Sequence, residues 1–196
     1  MNLEQLKPYL PENSTIFVEK WIQSYRLTLK ITQSRHSKLG DYRKITPQSR
    51  HQITINGDLN PEAFFFVLTH EIAHMMVYAN YEYGKVAPHG KEWKIIFGNL
   101  LLESVHVYSE NLQNYVIKHA QSPKASVGAD INIAKYLIND SKDHQNYLED
   151  IKIGTKFLLG NKYFIKGNKI KLRYVCCEVT TNKKYLINAT ALVEIL

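Results

Sequence analysis

The chain has little sulfur chemistry to organise it. Of its 196 residues only two are cysteine, and they are neighbours, Cys176 and Cys177. A disulfide framework is excluded, and a reducing compartment fits best. Long apolar runs are missing as well. The most apolar stretch, residues 64–78, falls short of the roughly 18 to 20 residues that a membrane span needs, and polar side chains interrupt it. The opening segment, MNLEQLKPYLPENS, has no basic start followed by an apolar core, so no secretory signal is expected in it. Internal repeats and low-complexity tracts are absent. What remains is a globular chain of cytoplasmic type, without a membrane partner. It is long enough for one good-sized domain and a small module.

Charge is present but uneven. The net formal charge is +7. Residues 1–59 carry nine Lys/Arg against five Asp/Glu, and residues 60–119 carry four against six. Residues 120–150 carry three against five, and residues 151–196 carry nine against two. The basic ends suggest an acidic partner, with nucleic acid the first candidate.

Hydrophobic spacing sets the expected elements. Leu3, Leu6, Leu10, Phe17, Trp21, Ile22 and Tyr25 recur at helical spacing, broken by Pro11, with Ser14 or Thr15 as a cap for a second helix. LTLKIT (27–32) and HQITIN (51–56) alternate as half-buried strands do. With a Gly-Asp turn expected at 40–41, this region reads as two or three antiparallel strands. Asn60, Pro61 and Glu62 form a helix start, and the helix runs to about Tyr81. It is apolar nearly all round and so belongs in the core. A loop follows. Pro88 opens a further helix to about Glu103, and SVHVY is expected to be extended.

Residues 119–150 are polar and read as a linker with a short helix near 131–139. From 151 onward, short strands separated by Gly-Asn and Thr-Asn turns predict a small antiparallel β-module. The fold class is α+β, with boundaries at 1–118, 119–150 and 151–196.

The polar residues inside the apolar helix carry the chemistry. In FFFVLTHEIAHMMVY, His70 and His74 stand four residues apart and project from one helix face. Two imidazoles so placed reach one metal ion, and zinc accepts them with Zn–N near 2.0–2.1 Å. Glu71, beside the first ligand, is positioned to take a proton from an attacking water and return it to a leaving amine. Buried polar groups are costly unless something satisfies them, and a metal would satisfy these. HExxH on a helix is a metalloprotease signature.

A catalytic zinc site needs a third protein ligand. Val77 and Asn80 rule out the HExxHxxGxxH solution. Glu92 and Glu103 meet the solution that uses a glutamate from the next helix. His89 in PHGKEW is the better candidate, at the head of that helix with Pro88 and Gly90 shaping the backbone. His36, His51, His106, His119 and His144 are less well placed. Tyr78, Tyr81 and Tyr83 are the nearest hydroxyls in sequence for an oxyanion.

HEIAHMMVY followed by PHGKEWKIIF resembles the SprT-like metalloprotease family. That pattern is HExxH, a loop, then His-Gly at a helix head with an aromatic three residues beyond the glycine, here Trp93. LGDYR and HQITIN also look like the family, and the resemblance covers about residues 14–110. It implies a minimal gluzincin-like zincin domain, with His70, His74 and His89 as zinc ligands and Glu71 as general base. Eukaryotic relatives cleave proteins crosslinked to DNA and are activated by DNA. The resemblance thus implies a protein substrate, a DNA partner, single-stranded or crosslinked to protein, and a role in DNA repair. It also implies an address in a bacterial cytoplasm, at the nucleoid where DNA is the partner.

Many family members end in a zinc ribbon built from paired CxxC motifs. Cys176-Cys177 does not provide one, because adjacent strand residues point to opposite faces. One zinc ion is expected, not two. The basic module occupies the ribbon's place. Its Lys166, Lys169, Lys171, Arg173, Lys183 and Lys184, interleaved with aromatics, are the candidate nucleic-acid contacts.

Overall fold

Asn60 caps the longest helix by accepting a hydrogen bond from the Ala63 N–H at 2.9 Å, and Pro61 opens it. This helix, α2 (Pro61–Asn80), is the axis of the N-terminal half. The computed structural model describes residues 3–35, 38–44, 50–81, 86–126, 129–138 and 146–196. They form two compact units, Met1–Ala125 with Tyr136–Ile138 and Ser126–Lys135 with Asn139–Leu196. The architecture is mixed helix and sheet, as an α+β chain requires.

In the first unit, α1 (Thr15–Ile22) starts where expected. Residues before it form two 3-10 turns, Leu3–Gln5 and Lys7–Tyr9, rather than an α-helix. Pro8 and Pro11 lack the N–H groups that a continuing helix would use. Three strands follow: β1 (Leu27–Thr32), β2 (Gly40–Arg43) and β3 (His51–Asn56). The sheet order is β1-β3-β2, with β2 antiparallel and β1 parallel to β3.

This corrects the all-antiparallel expectation. Alternating up and down makes the first and third strands parallel, and the open question is which strand lies between the others. β3 is buried at five of its six positions, so it takes the centre and β1 is forced beside it in parallel. The connection from β1 to β2 is pinned at the end of β3. Arg35 donates to Asn56 Oδ1 (2.8 Å) and Thr54 Oγ1 (3.1 Å), and Asn56 donates back to the Arg35 and Lys38 carbonyls, each at 3.2 Å.

Gly40 is another correction. It opens a strand rather than a turn. A Cβ there would lie 2.6 Å from Val67 Cγ1 and 2.8 Å from Glu71 Oε1, so the glycine allows β2 to approach α2.

α3 (Lys91–Glu103) begins three residues later than Pro88, and SVHVY holds a 3-10 turn at Val105–Val107 instead of an extended segment. α4 (Glu110–Gln121) enters the stretch read as linker. Its Leu112, Val116, His119 and Ala120 are buried along one stripe. The core joins α2 to its neighbours through Trp21 on Phe65 (5.9 Å between ring centroids) and Phe66 on Phe97 (5.4 Å).

α5 (Ile131–Ile138) supplies the short helix expected near 131–139, and residues 139–145 lie outside the described residues. The second unit contains β4 (Asn146–Tyr147), β5 (Lys156–Leu159), β6 (Lys162–Ile170), β7 (Arg173–Glu178), β8 (Lys184–Asn188) and β9 (Leu192–Ile195). Every pairing is antiparallel, in the order β4-β9-β5-β6-β7-β8. Leu148, Ile151, Phe157, Phe164, Tyr174, Cys176, Ala189 and Val193 form its core.

Gly160 turns the β5–β6 hairpin at positive φ, as its Gly-Asn sequence implies. Gly167-Asn168 does not turn. It marks a bulge within β6, where a Cβ on Gly167 would meet the Val175 carbonyl oxygen at 2.3 Å. Among the described residues, no helix is long and apolar enough to cross a membrane.

Candidate metal centre

His70 and His74 sit one turn apart on α2, with their Nε2 atoms 3.2 Å from each other. His89 comes from the turn just before α3. There the Gly90 N–H donates to the Ala87 carbonyl at 2.9 Å, and Gly90 is the N-cap. His89 Nε2 lies 3.0 Å from His74 Nε2 and 3.3 Å from His70 Nε2. A triangle of neutral imidazole nitrogens cannot pair every edge, because each offers either one N–H or one lone pair. A cation facing all three lone pairs resolves that conflict. Tetrahedral zinc with bonds of 2.0–2.1 Å would hold its ligand atoms about 3.3 Å apart, so the donor set fits such an ion. Among the described residues, this is the one group of three or more His, Cys, Asp or Glu able to hold a metal.

The surroundings keep the imidazoles neutral. Trp93 is fully buried and lies 4.7 Å from His70, 5.4 Å from His74 and 4.7 Å from His89 between ring centroids. Phe97 adds a contact to His70 at 5.3 Å. Burial, and then the neighbouring imidazoles, push His70 down to about 3 and His74 down to about 4. Burial also lowers His89. All three therefore carry the lone pairs that ligation needs near neutral pH.

Glu71 is 7% exposed and is packed between α2 and β2. Burial, followed by the Asp41 carboxylate, raises it to about 8, and the backbone N–H of Tyr42 opposes this by donating to it. A carboxylate tuned near neutral pH can both accept a proton and return it. Tyr42 was not legible as part of the site. Its ring lies parallel to that of His74 at 6.5 Å, and its hydroxyl meets His51 Nδ1 at 3.0 Å. The only sequence signal for it was its place in LGDYR, two residues past the glycine.

The alternatives for the third ligand lie elsewhere. Glu103 is at the far end of α3, accepting from Lys20 (2.6 Å) and Trp21 (3.2 Å). Glu92 is in the first turn of α3, with its carboxylate near Gly90 and outside the cluster. His51 is buried against Tyr42, His106 packs on Phe17, and His119 packs on Phe66 and Phe97. Tyr78 lies beside Tyr42 and His51, and Tyr81 is exposed just after α2. His36, Tyr83 and His144 lie outside the described residues.

The six basic residues separate into two groups. Lys171, Arg173, Lys183 and Lys184 are exposed. Lys166 is not. It is 3% exposed, and its ammonium donates to the Ile151 carbonyl (2.6 Å) and the Glu149 carbonyl (3.2 Å), 3.8 Å from the Tyr174 ring centre. That burial removes it from a phosphate-binding set. The alternation of β6 puts it on the same face as Phe164, opposite Cys176 on β7. Lys169 is engaged by Glu149 at 2.7 and 2.9 Å.

Three converging imidazoles backed by a buried carboxylate, in an α+β frame, define a candidate metal centre. The SprT-like family model matches residues 7–117, more than half of the chain, and the chain belongs to that family. It is 40% identical over 55 residues to the Protein SprT of Pectobacterium atrosepticum, covering 28% of this chain and 29% of the relative. It is 51% identical over 43 residues to Protein SprT of Escherichia coli and of Shigella boydii, covering 21% of this chain and 25% of each relative. The matches thus span less than a third of these relatives. No solved structure matches.

Proposed function

We propose that this protein is a zinc-dependent metallopeptidase whose metal is held by His70, His74 and His89 and whose general base is Glu71. The observation that carries the reading is the convergence of three Nε2 atoms within 3.0–3.3 Å, with a buried glutamate next to the first ligand. Zinc supplies Lewis acidity in such a site, acidifying water and polarising a carbonyl. The protein's residues do the rest. Glu71 takes the proton of the attacking water and returns it to the departing amine. Tyr42 N–H steadies the carboxylate, and Trp93 fixes the three rings and excludes solvent. β2 is an edge strand of its sheet, and an extended substrate adding to it would run past Glu71.

The substrate class we infer is protein associated with or crosslinked to DNA. The net +7 of residues 151–196 and the exposure of Lys171, Arg173, Lys183 and Lys184 support it. The experiment is cleavage of a DNA-binding protein with and without single-stranded DNA, by the zinc-loaded protein and its Glu71→Gln variant. Cleavage that needs both DNA and Glu71 is expected. Cleavage that needs Glu71 but ignores DNA would remove the nucleic acid. Equal activity of the variant would refute the mechanism.

A further inference from the structure

His89 lies at the head of a groove that the metal centre does not account for. One wall is the outer stripe of α3: Lys91, Lys94, Ile95, Asn99 and Leu102. Their spacing puts them on one helix face. The other wall is the end of α4 and the residues after it, up to Pro123. Gly98 forms the floor. A Cβ there would come within 2.4 Å of the Ala120 carbonyl oxygen, so backbone rather than side chains cuts the groove. Its volume is about 560 Å³, in the range of small-ligand and peptide sites. From Lys91 to Leu102 the helix rises about 16 Å at roughly 1.5 Å per residue, the length of about five residues of extended chain.

The chemistry along the groove is ordered. Next to His89 it is cationic. Lys91 and Lys94 are both exposed, and among the described residues neither is in an ion pair. Glu92, the acid in the same turn, has its carboxylate near Gly90, itself a lining residue, so the two lysines leave this end with a net positive charge rather than an unopposed one. Farther along, Ile95 is 51% and Leu102 45% exposed, so apolar side chains face solvent. Asn99 and Gln121 offer amides to a peptide backbone.

Continuity with a metal-site residue and this order of charge identify the occupant. We propose that the groove holds the substrate chain on one side of the scissile bond. It selects a carboxylate side chain near that bond and an apolar side chain about four residues further on. This rests on the peptidase reading and names its substrate class.

The test separates the two. Zinc-loaded Glu71→Gln protein, which binds without turning over, is titrated with a fluorescein-labelled octapeptide carrying one Glu and, four residues later, one Leu. The same peptide with Lys in place of Glu, and a single-stranded oligonucleotide, are the comparisons. The acidic peptide is expected to bind about tenfold tighter than the lysine peptide. Adding Lys91→Glu with Lys94→Glu should invert that order, and Leu102→Asn should weaken both peptides alike. Zinc content checks that each variant holds its site.

Equal affinities before and after charge reversal, or no peptide binding, would overturn the groove. So would a reversal that affects the oligonucleotide alone. Cleavage by the unmutated protein is read separately. Cleavage without the acidic preference removes the groove and keeps the peptidase. The preference without cleavage keeps the groove and removes the peptidase.

Discussion

Neutral imidazoles at His70, His74 and His89 follow from burial, and burial has a measurable consequence. Three ordinary histidines near 6.5 would lose about 60-fold in zinc affinity between pH 8 and pH 6 through proton competition. Here the ring protons bind only at lower pH, so the loss should be under about fivefold. The Glu71→Gln background isolates the imidazoles, and competition with a chromophoric chelator reads the affinity. A 60-fold fall would contradict the buried-site account. At this scale the sequence was informative where the spacing was local. Four residues is one helical turn, so His70 and His74 had to share a face. His89 needed a loop to fold back, and the turn residues around it gave the hint. Tyr42 reaches the site through tertiary packing, which no local spacing records.

Elements carry the next level. β2 reaches α2 only because residue 40 has no side chain. Gly40→Ala should push the Glu71 carboxylate from its place, since the new Cβ would meet Oε1 at 2.8 Å. Zinc content should stay near one per chain while kcat/KM falls at least tenfold, with a stability loss of about 1–3 kcal/mol. Unchanged kcat/KM would mean that Glu71 does not need its present position.

The same glycine explains why the strand was read as a turn. Gly-Asp fits a tight bend, and only packing against Val67 and Glu71 reveals the other use. Gly167 misled in the same way, as a bulge rather than a hairpin. The parallel β1–β3 pair was hidden for a related reason. Alternation identifies strands, but their order depends on which one the rest of the fold covers. α2, by contrast, was legible from end to end, because Asn60 and Pro61 start it and its apolar residues have nowhere to go but the core.

For the whole molecule, the question is what the basic second unit adds. If Lys171, Arg173, Lys183 and Lys184 neutralise phosphates, replacing all four with Ala should flatten the salt dependence of single-stranded DNA affinity. The slope of log affinity against log salt should change by about 3. Lys166→Met should leave that slope alone and instead destabilise the unit by about 2 kcal/mol, because the buried Ile151 carbonyl and the partly buried Glu149 carbonyl lose their donor. An unchanged slope in the fourfold variant would remove DNA from this surface. The charge surplus was plain in the sequence. Which lysines face solvent was not, since alternation puts Lys166 on the face of Phe164 but does not say that this face is the covered one.

The measurement that tests the central claim most directly is the appearance of new peptide termini, read by mass spectrometry. A DNA-binding protein is incubated, with single-stranded DNA present, with the chain and with its Glu71→Gln variant at equal zinc content. The account predicts termini with the unmutated protein and at least a hundredfold fewer with the variant. Equal yields from the two would contradict it.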